Sequence, residues 1–201
     1  MIELSDYDNP FDAIADFENK LATYTGSPYA VATDCCTHAM ELCLRYLKPS
    51  ETITIPYRTY LSVPMLMHKL QLDYEIEEYE WEGRYQLGNT SIWDSARMLY
   101  MDMHHPSQFQ CLSFGRTKPL EIGRGGAILT DNKEAYEWLK KASYDGRDIS
   151  ISPWEDQKEF QVGYHYMMRP DECIDGMNKM GNINNAYSHT YPDIRKINIA
   201  S

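Results

Sequence analysis

The chain has 201 residues, 43% of them hydrophobic and 24% charged, a balance typical of one globular domain. Its formal net charge of −11 disfavours nonspecific binding to nucleic acid or to an anionic membrane, because both would repel it. No basic N-terminal region leads into an apolar run, and no run approaches the ~20 apolar residues of a membrane span, so we expect a cytoplasmic protein. The five cysteines lack CxxC spacing, which predicts reduced thiols and neither a disulfide framework nor a metal site.

The first part of the chain predicts a helix, a strand and a second helix. Apolar residues recur at helical spacing over residues 12–24 and again over 37–46. Between these helices, the short apolar run 29–33 is typical of a buried strand.

The turn before the second helix reads Thr33-Asp34-Cys35-Cys36-Thr37-His38. A helix that begins after a tight turn presents free backbone N–H groups, which suit a phosphate. An ordinary N-cap by Asp34 or Thr37 explains the same residues. The turn is therefore a candidate anion site, with helix capping as the alternative.

The middle of the chain predicts further strands. Residues 51–55 alternate β-branched and polar side chains before Pro56, as a strand does. The acidic and aromatic stretch 73–85 is predicted to be an edge strand with a solvated face, and no site is expected there. Asp94 follows a short apolar run, and ligands bind at the carboxyl ends of strands in an open parallel sheet.

One lysine stands in a loop between two predicted strands. The run Cys111 to Phe114 precedes Lys118, and a glycine-rich return leads into the second apolar run, Ala127 to Leu129. A lysine held in this way can present its amine to a carbonyl and form a Schiff base. A solvated surface charge is the alternative explanation.

This loop resembles the cofactor-lysine segment of the DegT/DnrJ/EryC1/StrS family of sugar aminotransferases. The resemblance is carried by Ser113-Phe114-Gly115-Arg116-Thr117-Lys118 and by the Gly-x-Gly-Gly turn and strand over 123–130. In that family the lysine carries pyridoxal 5'-phosphate (PLP). The resemblance implies that Lys118 is the Schiff-base lysine and that Ser113 contacts the cofactor phosphate.

Three further segments resemble the same family, in the same order along the chain. The segment Pro56 to Ser62 is similar to the family's Pro-x-x-Thr-aromatic segment, which implies that Tyr60 stacks on the pyridine ring. Asp94 matches the aspartate that contacts the pyridine nitrogen and makes the ring a better electron sink. In the turn that is usually Ser-Gly-Thr, Thr37 matches the threonine and Cys36 replaces the glycine.

Two candidate site residues depart from the family pattern. Arg97 stands where a neutral residue is usual; it can bind a phosphate or carboxylate, or be a surface arginine. The segment Gly163 to Asp171 is similar to the one by which one subunit of the family's dimer reaches its neighbour's site, and His165 replaces the usual asparagine. The resemblance thus implies a homodimer, with His165 at the partner's cofactor phosphate.

The resemblance also implies the fold. We expect the α/β large domain of PLP-dependent transferases (aspartate aminotransferase-like, fold type I), with a mainly parallel sheet flanked by helices. Residues 1–201 are expected to form this single domain, shortened between about residues 73 and 90. The family's small C-terminal domain is expected to be missing.

The implied function is a PLP-dependent aminotransferase that moves an amino group from an amino acid, glutamate, to a keto-sugar nucleotide. Lys118 is the expected catalytic residue, and the expected cofactor-binding residues are Asp94, Tyr60, Ser113, Cys36, Thr37, Arg97 and His165. Two alternatives stay open: a binding or regulatory protein that kept the PLP fold without turnover, and a subunit that partners a longer homologue. Cys36, His165 and the missing small domain favour the first of these alternatives, whereas Lys118 together with Asp94 argues against both of them.

Overall fold

The computed structural model describes residues 1–185 and 190–198. Its helices and strands, in chain order, are α1 (Asp12–Thr25), β1 (Tyr29–Thr33), α2 (Cys36–Leu47), β2 (Ile53–Pro56), α3 (Ser62–Leu70), β3 (Tyr74–Glu77), β4 (Tyr85–Gln86), β5 (Ile92–Asp94), β6 (Phe109–Ser113), β7 (Gly126–Thr130), α4 (Lys133–Ser143) and α5 (Pro170–Lys179). Among the described residues, no helix has both the length and the apolar character needed to cross a membrane.

A five-stranded sheet in the order β1-β7-β6-β5-β4 forms the centre of the structure. Strands β5 and β6 pair in parallel, whereas β7 is antiparallel to both of its neighbours and β4 is antiparallel to β5. Strands β2 and β3 form a separate parallel pair. The predicted α/β class is confirmed.

The expectation of a mainly parallel sheet is wrong for the five-stranded sheet, because three of its four pairings are antiparallel. The cause lies in the connection between β6 and β7. It is a loop over residues 114–125 that contains no helix, and a parallel return would require a crossover connection. The chain therefore returns antiparallel, and β7 lies between β1 and β6.

The helices cover both faces of this sheet. Successive side chains of a strand point to opposite faces, so Val31 packs into the core under α2 and α4, while Ala30 and Ala32 pack into the core under α1 and α5. Phe17 of α1 and Phe114 are fully buried in the second core, with ring centroids 5.6 Å apart in an edge-to-face arrangement. The sheet thus lies between two layers of helices, and packing on both faces holds its strands in place.

A buried ion pair connects both helix layers to the sheet. Glu18 of α1 accepts a hydrogen bond of 2.8 Å from the backbone N–H of Ala32, and Lys140 of α4 donates to both oxygens of the same carboxylate at 2.7 and 2.8 Å. The Glu18 side chain is only 6% exposed. Because the carboxylate is fully partnered, it is tolerated in the interior.

Candidate active site

Seven of the eight predicted site residues line one cavity of about 580 Å³. The cavity opens where the parallel neighbours β5 and β6 end, at Asp94 and Ser113. This is the edge of the sheet at which the sequence predicted a ligand. The seven residues are Cys36, Thr37, Tyr60, Asp94, Arg97, Ser113 and Lys118.

Lys118 is positioned by a loop that folds back on itself. Gly123 and Gly125 have φ angles of 106° and 108°, a backbone region that favours glycine, and the N–H of Phe114 bonds to the carbonyl of Gly125 at 2.9 Å. The half-buried Lys118 side chain donates a hydrogen bond of 3.0 Å from Nζ to Oη of Tyr191. Its amine is therefore held in the cavity.

Asp94 is the buried acid of the site, 7% exposed at the end of β5. Burial raises the pKa of its carboxyl group above the usual value, although the carboxylate accepts hydrogen bonds from the Ala96 N–H at 2.9 Å and from the Tyr85 hydroxyl at 2.8 Å. Lys118 and Arg97 act in the opposite direction to burial and lower the pKa. A cationic ring nitrogen placed beside Asp94 would favour its charged form in the same way.

Tyr85 is a site residue that the sequence analysis missed. It is 2% exposed, and its hydroxyl bonds to Asp94 while lying 2.6 Å from the hydroxyl of buried Thr59. Because the Tyr85 proton is directed to Asp94, Thr59 donates to the Tyr85 oxygen. The stretch 73–85 was expected to hold no site, and nothing in its local sequence separates Tyr85 from Tyr79.

The N-terminus of α2 forms a second part of the site. The first-turn N–H groups of a helix lack intrahelical partners, and the Thr37 hydroxyl lies at this turn, 2.7 Å from the hydroxyl of Ser62. Ser113 lines the same cavity from the end of β6. Cys35, and neither Asp34 nor Thr37, caps α2, since its Sγ accepts from the N–H of His38 at 3.4 Å. The two hydroxyl groups and the remaining N–H groups of this first turn are suitable donors for a phosphate.

Cys36 begins α2 with a backbone that does not require glycine. The φ angle of Cys36 is not positive. Its thiol points into the core, where it donates to the carbonyl of Cys111 at 3.5 Å. Burial raises the pKa of Cys36 well above the usual range, so the thiol is neutral at pH 7. The replacement of glycine by cysteine is thus compatible with an open helix terminus.

Aromatic side chains form the rim of the cavity. Tyr60 is 60% exposed, and its ring centroid lies 6.1 Å from that of Tyr191. The rings of Tyr191 and Trp81 are also 6.1 Å apart, with 26° between their planes. Tyr191 is a further lining residue that the sequence analysis did not identify, and Trp81 packs against it without lining the cavity.

His165 lies apart from the cavity. It is exposed, and its Nδ1 is 3.1 Å from the carboxylate of Asp145. The adjacent Tyr166 stacks on His38 with ring centroids 3.7 Å apart, which fixes this segment against the start of α2. The contact of His165 with a partner subunit's cofactor stays a prediction.

The donor set fits PLP. The phosphate suits Thr37, Ser113 and the amides of α2, the pyridine nitrogen suits Asp94, and the aldehyde suits Lys118. These groups converge in one cavity although they come from different parts of the chain.

Comparisons with known structures support the fold. AtS13 from Actinomadura melliaura matches with a TM-score of 0.70 at 16% identity, over 84% of this chain and 59% of that chain. Sugar aminotransferase CalS13 from Micromonospora echinospora gives 0.67 at 12% identity (84% and 60%), and Spr1654 from Streptococcus pneumoniae in its PLP form gives 0.65 at 16% (85% and 59%). The chain thus spans about 60% of the length of these structures. The predicted PLP-dependent transferase fold is confirmed.

The comparison with curated proteins gave no match. The sequence model of the DegT/DnrJ/EryC1/StrS aminotransferase family, in contrast, matches residues 5–71 and 103–190. The interval between these two matches contains Tyr85, Asp94 and Arg97, so the roles of these residues depend on the geometry of the cavity. Since the matches cover most of its residues, the chain belongs to the DegT/DnrJ/EryC1/StrS aminotransferase family.

Proposed function

We propose that the chain is a PLP-dependent aminotransferase that transfers an amino group from an amino acid, with glutamate as donor, to a keto-sugar nucleotide. The observation that supports this most is the presence of Lys118 and Asp94 in one cavity. Asp94 lies outside the segments that match the family, and yet β5 brings it beside the lysine loop. The substrate class is proposed from family membership and from the description of CalS13 as a sugar aminotransferase.

Each residue has a defined task in this proposal. When bound, PLP supplies an electron sink for the carbon that loses its proton. Lys118 would hold the aldehyde of the cofactor, and its Nζ would accept and return the proton as general base and general acid. Tyr191 holds the Lys118 amine, since its hydroxyl oxygen accepts the hydrogen bond of 3.0 Å.

Asp94 is proposed to stabilise positive charge on the pyridine nitrogen. Its carboxylate is aimed by the N–H of Ala96 and the hydroxyl of Tyr85, which hold one oxygen each. A carboxylate held at two points loses little freedom when the ring binds, so its charge is preorganised.

Binding of the phosphate is proposed to be local. The formal net charge of −11 repels anions at long range, so the attraction must come from Thr37, Ser113 and the N–H groups at the start of α2. Tyr60, at the rim of the cavity, would stack on the cofactor ring. The homodimer, with His165 at the partner's phosphate, and the cytoplasmic location belong to the same proposal.

A second candidate is a protein that binds PLP without turnover, alone or as the partner of a longer homologue. The hydrogen bond between Lys118 and Tyr191 favours it, because an amine that is engaged in this way has to be released before it can react. The two candidates differ in their response to an amino donor.

The test is the near-visible absorption spectrum of the purified protein with PLP, before and after addition of glutamate. Wild type should develop a band that glutamate bleaches, and Lys118→Ala should develop no such band. Lys133→Ala, which changes an exposed lysine of α4, is the matched control and should behave as wild type. A band that glutamate leaves unchanged would support the second candidate, and the lack of any band would refute both.

A further inference from the structure

Arg97 has an unusual environment for an arginine. Its half-buried guanidinium group lines the cavity but makes no hydrogen bond or ion pair with any residue in ranges 1–185 and 190–198. Its recorded contacts are with two aromatic rings, since Cζ lies 5.8 Å from the ring centroid of Trp81 and 5.4 Å from that of Tyr191. Arginine carries five N–H donors in a planar fork, and all five are available here.

Most arginines of this chain are paired. In the described ranges, only Arg97 and Arg116 have no polar partner. Arg116 is exposed and lies outside the cavity. The contrast matters because an arginine in a cavity usually has a carboxylate, carbonyl or hydroxyl partner. Burial against two rings without such a partner leaves the guanidinium available to a ligand.

The two rings that contact Arg97 are themselves fixed. The Trp81 indole N–H donates to the backbone carbonyl of Arg58 at 2.7 Å, and the Tyr191 hydroxyl accepts from Lys118. Stacking on aromatic rings orients a guanidinium plane and leaves its N–H edge exposed. Such an edge matches the two oxygens of a carboxylate or phosphate.

Arg97 also lies beside the reacting groups. It follows Asp94 by three residues, and its positive charge lowers the pKa of Asp94, which burial raises. The Lys118 amine lies over the same Tyr191 ring, 5.7 Å from its centroid. Arg97 and Lys118 therefore lie against the same ring in the same cavity.

We propose that Arg97 is the residue that binds a substrate oxyanion, either the carboxylate of the amino donor or a phosphate of the acceptor. The identity of the substrate rests on the proposed function, whereas the oxyanion site rests on the environment of Arg97. Arginine at a position that is usually neutral in the family gives this chain a specificity determinant of its own.

The test uses isothermal titration of the full-length protein, incubated with PLP, with two unreactive probes. Glutarate presents the carboxylates of the donor without its amine, and uridine diphosphate presents the phosphates of the acceptor. Arg97→Gln should weaken the binding of at least one probe about tenfold or more, because a bidentate charged contact is lost. Arg97→Lys, which keeps the charge and loses the fork, should lie between wild type and Arg97→Gln.

The pattern of loss distinguishes the two sources. Weaker glutarate binding alone assigns Arg97 to the donor, and weaker uridine diphosphate binding alone assigns it to the acceptor. Arg116→Gln is the matched control for charge and should leave both dissociation constants within about twofold of wild type. Thermal melting of each variant verifies folding.

Three results would overturn the inference. The first is that both dissociation constants are unchanged in Arg97→Gln, and the second is that neither probe binds to wild type. The third is that Arg97→Gln loses PLP on gel filtration, which would assign Arg97 to the cofactor. Failure of the proposed function is detected separately, as the lack of the Lys118-dependent absorption band. Arg97-dependent probe binding without that band would leave the oxyanion site standing.

Discussion

Tyr85 donates a hydrogen bond of 2.8 Å to the carboxylate of Asp94 from the two-residue strand β4. Both residues lie in the interval 72–102, which the family's sequence model does not match. The tyrosine in turn accepts from Thr59, which lies in a matched segment. The hydrogen bonds that hold Asp94 therefore begin at Thr59 in a matched segment and pass through Tyr85 in the unmatched interval.

Tyr85→Phe should impair the reaction of the loaded protein with glutamate. The hydroxyl stabilises the Asp94 anion, so its removal raises the pKa of Asp94 further above the usual value and shifts the acid limb of the pH–rate profile to higher pH. At pH 7 the rate should fall about tenfold. Single-turnover absorbance across a range of pH measures both effects.

Tyr79→Phe is the control for this prediction, because Tyr79 is a half-buried tyrosine of the same stretch that lies outside the cavity. A Tyr85→Phe profile that overlays the Tyr79→Phe profile would contradict the assigned role of Tyr85.

Asp94→Asn should stabilise the protein without PLP and abolish amino transfer. Burial favours the protonated carboxyl group and raises the folded-state pKa of Asp94 above its unfolded value. The free energy of unfolding therefore falls as pH rises from the unfolded pKa to the folded pKa. At neutral pH the charged carboxylate costs stability. Removing the charge should raise Tm at pH 7 by about 2–4 °C. The gain should vanish at low pH, where Asp94 is neutral in both states; an equal gain at every pH would argue against this cause.

Lys140→Met should destabilise the fold through Glu18. The buried carboxylate would lose its cationic partner and keep only its bond from the Ala32 N–H. The expected loss is about 3 kcal/mol of unfolding free energy, measured by urea denaturation. Adding Glu18→Gln to Lys140→Met should recover part of that loss, and a double mutant no more stable than Lys140→Met would argue against the ion pair as the cause.

The contact between His38 and Asp34 should make stability depend on pH at the start of α2. Burial lowers the pKa of His38, but the hydrogen bond of 2.6 Å to Asp34 acts in the opposite direction. The net effect raises the pKa of His38 to about 9. The stabilisation is therefore fully present below the unfolded pKa of 6.5 and is lost as pH rises through about 9. His38→Gln should cost up to about 1 kcal/mol at pH 6 and little at pH 10. A pH-independent cost would refute the assignment.

Much of the site could be predicted because its residues follow strands and turns that are visible locally. Lys118, Ser113 and Asp94 stand at or just after strand ends, so the sequence pattern and the family resemblance both locate them. Tyr85 and Tyr191 could not be found in this way. They reach the site through packing between distant segments, which a local pattern does not encode.

The direction of the strands was mispredicted for a related reason. The family class suggested a mainly parallel sheet, whereas the helix-free loop that carries Lys118 already required an antiparallel return. Cys36 stands where the family has glycine, and the structure shows that the helix begins there without a positive φ.

The most direct test of the central claim is to reduce the PLP-treated protein with borohydride and to map the labelled peptide by mass spectrometry. Cleavage after Arg116 and Arg124 releases the peptide 117–124, which contains Lys118 as its only lysine. We predict that this peptide carries the cofactor in stoichiometric amount and that Lys118→Ala carries none. A label on other lysines, or equal labelling of wild type and Lys118→Ala, would contradict the proposal that Lys118 is the residue that holds the cofactor.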